Sequence, residues 1–276
     1  MRAVDGNRRE PLIGLLESVW ASISGVCADL TDEAYDRATD CPGWVVRDHL
    51  AHMIGTEAML LGRGAPEIDA DVRSLPHVRN DIGAFNEQWV HAYRSRPGAE
   101  ALADFDAITA ERLAVLESMA PEAWDAEGFT PEGPGPYRGF MEIRVFDCWF
   151  HEQDLREALD RPGDLEGPVA DLAVGGIPRS LAYIVGKKAG TADGSIVAID
   201  VAGTIFTVVV EGRARLTAPG ETVADPDVRI ALDRRTFARL AGGRWTADRA
   251  RSLGQVTIQG DTALGDRIIA NFGYTI

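Results

Sequence analysis

The tightest constraint on this chain is a change of rhythm at residues 161–164, where RPGD separates helical spacing from β-branched runs. From Pro11, apolar residues recur three and four apart (Leu12, Leu15, Leu16, Val19, Ile23, Val26) and predict a helix to about Leu30. A second helix is predicted from Val46 to about Gly62, with Leu50, Met53, Ile54, Met59 and Leu60 on its buried side. Two more are expected near 78–95 and 98–119, the latter with Leu102, Phe105, Ile108, Leu113 and Leu116, and a fifth over about 140–159. Pro162 disfavours helix in the residue before it and so ends the fifth. Between Glu122 and Gly139 the run EAWDAEGFTPEGPGPYRG is rich in Gly and Pro and predicts a long irregular connection, the kind that often covers a site.

Past the break, a helical stretch near 167–188 leads into SIVAIDVAG and TIFTVVVEG, which meet at a glycine and read as a hairpin. DVRIALD (227–233) and GQVTIQGD (254–261) are further strands, each followed by a short helix. The expectation is α plus α+β: a helical bundle over 1–162 and a smaller α+β domain over 163–276.

Charge narrows the partners. A formal net charge of -15 argues against holding a phosphate backbone or an anionic membrane by general electrostatics. No nucleic-acid or membrane partner is expected. No apolar run approaches the roughly 20 residues that span a bilayer, and MRAVDGNRREPL lacks the apolar core of a secretory signal, so a cytoplasmic location is expected. Cys27, Cys41 and Cys148 form no CxxC pair, which fits free thiols rather than a disulfide framework or cysteine-bound zinc.

The chain has only 5 histidines: His49, His52, His77, His91 and His151. In RVFDCWFHEQDLREAL, Asp147 and His151 are four residues apart and project from one helix face, as two ligands of one ion must. Arg144, Asp147, His151 and Asp154 together fall within a sector of roughly 80°. By itself this spacing also fits an acid and a histidine on a solvated face. His52, from the second helix, is the candidate third ligand, since catalytic zinc commonly takes three N or O ligands and keeps a fourth position open.

TDCPGWVVRDHLAHMIGTE, followed about a hundred residues later by RVFDCWFHEQDLREALDRPG, resembles the mycothiol-dependent maleylpyruvate isomerase family, within the DinB-like superfamily of helical bundles. The segment from DVRIALD to DRIIANF is similar to that family's second domain, which has a sterol-carrier-like fold. The resemblance implies that His52, Asp147 and His151 are metal ligands, for zinc or another divalent ion. It also implies a low-molecular-weight thiol, mycothiol or a related one, as cosubstrate for a small electrophile such as a maleyl-type acid. The expected activity is thiol-dependent isomerisation or S-transfer. The alternatives are a non-catalytic small-molecule-binding or regulatory protein, and a tailoring enzyme of specialised metabolism on the same fold.

Arg144 is the candidate catalytic residue, to meet a carboxylate of substrate or thiol; a salt bridge to Asp147 or Asp154 fits its position equally. Asp154 is expected outside the ligand set, orienting a histidine or pairing with an arginine. Arg251 and Arg267 are candidates to bind the anionic parts of the thiol. Three departures from the family pattern stand out. Val45 replaces a usual threonine N-cap, at a cost of about 1 kcal/mol. Asp147 stands where some relatives have Glu. His49 occupies a usually aliphatic position, within about 60° of the face of His52; a partner behind a ligand and a substituted ligand are open to it, and a histidine on the bundle surface is the preferred reading. Cys148, Trp44 and Trp149 are read as packing residues, and the chain is expected to be a monomer or homodimer.

Overall fold

The computed structural model describes residues 9–219, 221 and 223–274; the leading residues 1–8, part of the segment read as lacking a secretory core, lie outside it. The chain forms two units, one ending at Asp164 and the other beginning at Leu165.

The first unit is helical, with α1 (Pro11–Cys27), the short α2 (Asp32–Tyr35), α3 (Val46–Leu60), α4 (Asp81–Tyr93), α5 (Gly98–Ser118) and α6 (Tyr137–Ala158). Helix α1 packs along α5 and α6, and α3 packs against α4, α5 and α6. Leu16, Val19, Ile23, Leu50, Met53, Phe105, Leu116, Val145 and Trp149 are buried between them. Such burial supplies roughly 1.5–3 kcal/mol per large aliphatic or aromatic side chain, which holds the bundle together against its conformational entropy. Helix α3 has no solvent face over most of its length: every residue from Val46 to Ala58 is buried. At Gly55 the backbone passes so close to Trp89 that an added Cβ would lie 2.5 Å from its ring.

The N-terminus of α3 lacks a side-chain cap at Val45, as the sequence suggests, but Asp48 reaches back and accepts from the Val45 N–H at 3.0 Å. One of the exposed helix-end donors is thereby satisfied. The Gly/Pro-rich connection is more ordered than expected. It holds a 3₁₀ turn (Pro121–Asp125) and a two-stranded ribbon, β1 (Glu127–Gly128) with β2 (Gly135–Pro136), and α6 starts at Tyr137 rather than near Phe140.

The second unit carries a five-stranded sheet of β3 (Ile196–Val201), β4 (Thr204–Glu211), β5 (Arg213–Leu216), β6 (Val228–Leu232) and β7 (Val256–Gly260) in the order β5-β4-β3-β6-β7. Strands β3 and β6 are parallel and the other pairs antiparallel. The β3–β4 hairpin turns through Ala202 (φ 50°) and Gly203 (φ 91°), the doubly left-handed backbone of a two-residue hairpin loop. The predicted helix near 167–188 forms as α7 (Pro168–Gly176), a 3₁₀ turn, α8 (Leu181–Tyr183) and a π turn. This 21-residue stretch does reach membrane-spanning length and apolarity, with 44% of its apolar window buried inside the fold. Helices α9 (Arg234–Ala241), α10 (Ala247–Ser252) and α11 (Thr262–Ala270) complete the unit, with α11 on β6 and β7. Strand β5 and helix α10 were absent from the sequence reading; RARL and ADRARS are too short and too arginine-rich to show a period.

Candidate metal centre

Two helices far apart in sequence meet at their polar residues. His52 of α3 and Asp147 and His151 of α6 place their ligand atoms within 4.8 Å of one another. His52 Nε2 is 3.2 Å from Asp147 Oδ2, and His151 Nε2 is 3.4 Å from Asp147 Oδ1. Ligand atoms around a tetrahedral zinc with bonds of about 2.0–2.1 Å are roughly 3.3 Å apart, so this spacing suits one ion. Both imidazoles are buried, whereas the Asp147 side chain keeps 30% of its surface open and marks the side from which a ligand would enter.

Burial works to raise the Asp147 carboxyl, but His52, His151 and Arg144 around it outweigh burial and hold it well below the usual carboxylate range. Burial lowers His52 against the opposing pull of Asp147. For His151 the balance reverses: burial lowers it, but Asp147 and Asp154 outweigh this and it is raised.

Arg144 lies in the middle of this network and is buried. Its Nε donates to Glu57 Oε1 at 2.9 Å, its Nη1 to Asp147, and its Nη2 to Cys148 Sγ at 3.3 Å. The guanidinium thus has three protein partners. Of the positions open to Arg144 from the sequence, the structure places it at the bridge to Asp147, with Glu57 as a further partner. Glu57 also accepts from Arg112 Nε at 3.0 Å, and Arg112 Nη2 donates to the Tyr137 hydroxyl at 2.7 Å. Glu57 and Arg112 escaped sequence reasoning because their partners lie 55 and 87 residues away in the chain.

The histidine at position 49 requires a correction. It is fully buried, not on the bundle surface, with Nδ1 3.0 Å from His151 Nδ1 and Nε2 2.9 Å from Thr39 Oγ1. The surface assignment failed because it assumed a polar face on α3, and α3 is enclosed on every side. Asp154 is also fully buried, its Oδ2 3.4 Å from His151 Nδ1. Trp44 roofs the group: its ring centroid is 5.3 Å from those of His49 and His52 and 5.6 Å from that of His151. Its indole N–H donates to Glu87 Oε1 at 2.5 Å, which also meets His77 Nε2 at 2.8 Å. Gly43, just before it, has φ 81° and lies under the His77 ring, where a Cβ would come within 2.7 Å. Of the remaining predicted residues, Arg251 pairs with Asp248 and Asp266, and Arg267 reaches the Ala263 carbonyl at 3.5 Å, all within the second unit. Cys148 is buried and its thiol is pushed up to about 12 by burial, so it is no nucleophile at neutral pH.

The mycothiol maleylpyruvate isomerase N-terminal domain model matches residues 16–156, just over half of the chain, and includes all three clustered residues. The chain belongs to that family. The SCP-2 sterol transfer family matches residues 186–272, within the α+β unit. The crystal structure of a mycothiol-dependent maleylpyruvate isomerase has the same fold, with TM-score 0.57 and 15% identity over 94% of this chain and 96% of that one. A crystal structure of a point variant of such an isomerase gives TM-score 0.58 at 14% identity with the same coverage. None of the curated proteins matches the chain.

The residues present fit a divalent cation. Two imidazoles and a carboxylate are a donor set suited to zinc. Glu57 meets Arg112 and Arg144, Arg144 also meets Asp147, and Asp154 meets His151. His52 Nδ1 is buried without a hydrogen-bond partner.

Proposed function

We propose that this chain is a metal-dependent enzyme that uses a low-molecular-weight thiol, mycothiol or a close analogue, as nucleophile toward a small electrophile. The observation that carries the reading is the convergence of His52, Asp147 and His151, with ligand atoms within 4.8 Å of one another, in a chain of this family. Zinc bound there would hold a thiol as thiolate at neutral pH, where a free thiol of pKa about 8.5 is mostly protonated.

The chain's own residues do the rest. His52 and His151 would offer one ring nitrogen each, and Asp147 offers a carboxylate kept ionised by its neighbours. Arg144 acts as a positioning residue: anchored by Glu57, it fixes one oxygen of Asp147 so that the carboxylate keeps its direction. Trp44 covers the imidazoles and keeps water from their inner side. The thiolate adds to one carbon of a conjugated cis double bond and the bond so reduced to single rotates. Expelling the thiolate gives the trans isomer; retaining it, with a proton delivered to the carbanion, gives the conjugate.

Incubating zinc-loaded protein with mycothiol or glutathione and a panel of maleyl-type acids and epoxides tests this, with adduct and isomer followed separately by mass spectrometry and chromatography. The expected result is turnover only when a thiol is present. Turnover independent of thiol overturns the mechanism.

A further inference from the structure

A chain of charged hydrogen bonds runs from Asp147 to the connection between α5 and α6, and chemistry fixes the direction of every contact in it. A guanidinium only donates, whatever the protonation of the histidines beside it. Arg144 Nη1 donates to Asp147, and Arg144 Nε and Nη2 both lie 2.9 Å from Glu57 Oε1. The other oxygen, Glu57 Oε2, accepts from Arg112 Nε at 3.0 Å. Arg112 Nη2 then reaches the Tyr137 hydroxyl at 2.7 Å, where the oxygen must accept. Glu57, Arg112 and Arg144 are buried, so bulk water does not replace a bond that breaks, and one planar carboxylate joins the two guanidinium groups. Each contact therefore constrains the next.

The far end of the chain is tied to the connection. Tyr137 opens α6, its N–H donates to the Ala126 carbonyl at 3.0 Å, and its ring meets that of Trp124 edge-on at a centroid distance of 5.7 Å. Arg138, next to it, donates from Nε to Asp125 Oδ1 at 3.2 Å. A ribbon with two residues per strand, such as β1–β2, is marginal without anchors of this kind.

We propose that Arg112 and Tyr137 are positioning residues that tie the direction of Asp147 to the seating of the 121–136 connection on α6, so that a divalent ion at the centre and a seated connection favour each other. The proposal rests on the metal reading given above. Arg144 and Glu57 carry the effect between the two ends, since a turn of the Glu57 carboxylate moves both guanidinium groups. Linkage makes the effect reciprocal: if a seated connection holds Asp147 ready for the ion, a bound ion holds the connection by the same factor.

Two variants interrupt the chain at different points. Tyr137→Phe removes the hydroxyl and keeps the ring on Trp124, and Arg112→Lys keeps the charge but replaces the fork by a single ammonium. Tyr137→Phe is expected to bind zinc about threefold or more weakly, and the double variant no more weakly than Arg112→Lys alone, because both changes cut one path. Amide hydrogen exchange with and without zinc supplies the second arm. In the parent, zinc should slow exchange at the Tyr137 N–H and in the β1–β2 ribbon, and in Tyr137→Phe that slowing should shrink by about threefold or more. A hydroxyl that only supports the fold would lower the urea midpoint and leave zinc affinity and zinc-dependent exchange as in the parent, which overturns the proposal. So does a parent that binds zinc with no change in exchange at these amides. A parent that takes up no zinc overturns the metal reading and this coupling with it, so zinc uptake tells the two failures apart.

Discussion

The two units bury different kinds of residue. In the helical unit, Arg112, Arg144, Glu57 and Asp154 are at most 2% exposed, deep among helices. In the α+β unit the sheet interior is aliphatic, with Val197, Ile199, Val208, Val228 and Ile230 fully buried; the buried polar side chains among its described residues are Thr191 and, on α9, Thr236 and Arg239. The ion pairs Arg215–Glu221, Arg234–Asp171 and Arg251–Asp266 of that unit sit at its surface. Taking a charge out of water costs several kcal/mol, and a paired apolar replacement is often as stable, so stability alone does not account for such an interior. The buried charges of the helical unit border the clustered residues: Arg144 bonds Asp147, and Asp154 lies against His151.

The sharpest way to break this comparison is to remove a proposed metal ligand. His151→Ala is expected to lower thiol-dependent turnover by more than about 100-fold, beyond the loss of an outer partner, with the helical signal of the fold retained. Retained turnover would make the buried network a structural feature only. Next comes Glu57→Gln, which leaves Arg112 and Arg144 facing a neutral amide. Breaking a buried ion pair typically costs about 3–5 kcal/mol, read as a lower urea midpoint. A change below about 1 kcal/mol would mean that solvent reaches these charges.

Metal removal is expected to have a somewhat smaller effect. With free zinc at about 100 times its dissociation constant, chelation should lower stability by about 2.7 kcal/mol and depress Tm. An unchanged Tm would show that no ion is bound in the folded state. Trp44→Phe keeps a ring on the imidazoles but loses the N–H bond to Glu87, at about 1 kcal/mol, and zinc stoichiometry should not change. Smallest of all, Arg251→Ala should shift stability by about 0.5 kcal/mol or less, as expected for a partly exposed pair. A raised KM for the thiol at constant kcat would instead show that Arg251 takes part in thiol binding.

Some of this was legible in the sequence and some could not be. The helices, the hairpin and the change of architecture after residue 160 follow from apolar periodicity, a local signal. Scarce histidines and the shared face of Asp147 and His151 pointed to the clustered residues, and the resemblance of the paired motifs to the family is what assigned His52 to the same set. The inner partners were not legible. Glu57 and Arg112 look like ordinary charged positions of exposed helices; Glu57 is interior because α3 is enclosed by its neighbours, and Arg112 because it lies where α5 meets α3. His49 was misread for the same reason. Arg144 illustrates the middle case: its spacing from Asp147 showed the bridge as an option, and the position of Glu57, 87 residues away, fixes where the rest of the guanidinium goes.

The account stands or falls on the ion. Zinc-edge anomalous diffraction from crystals of the zinc-loaded chain should show one strong peak between His52, Asp147 and His151, lost in an Asp147→Asn, His151→Ala double variant. No peak at that point, or a peak elsewhere that survives the double variant, would contradict it.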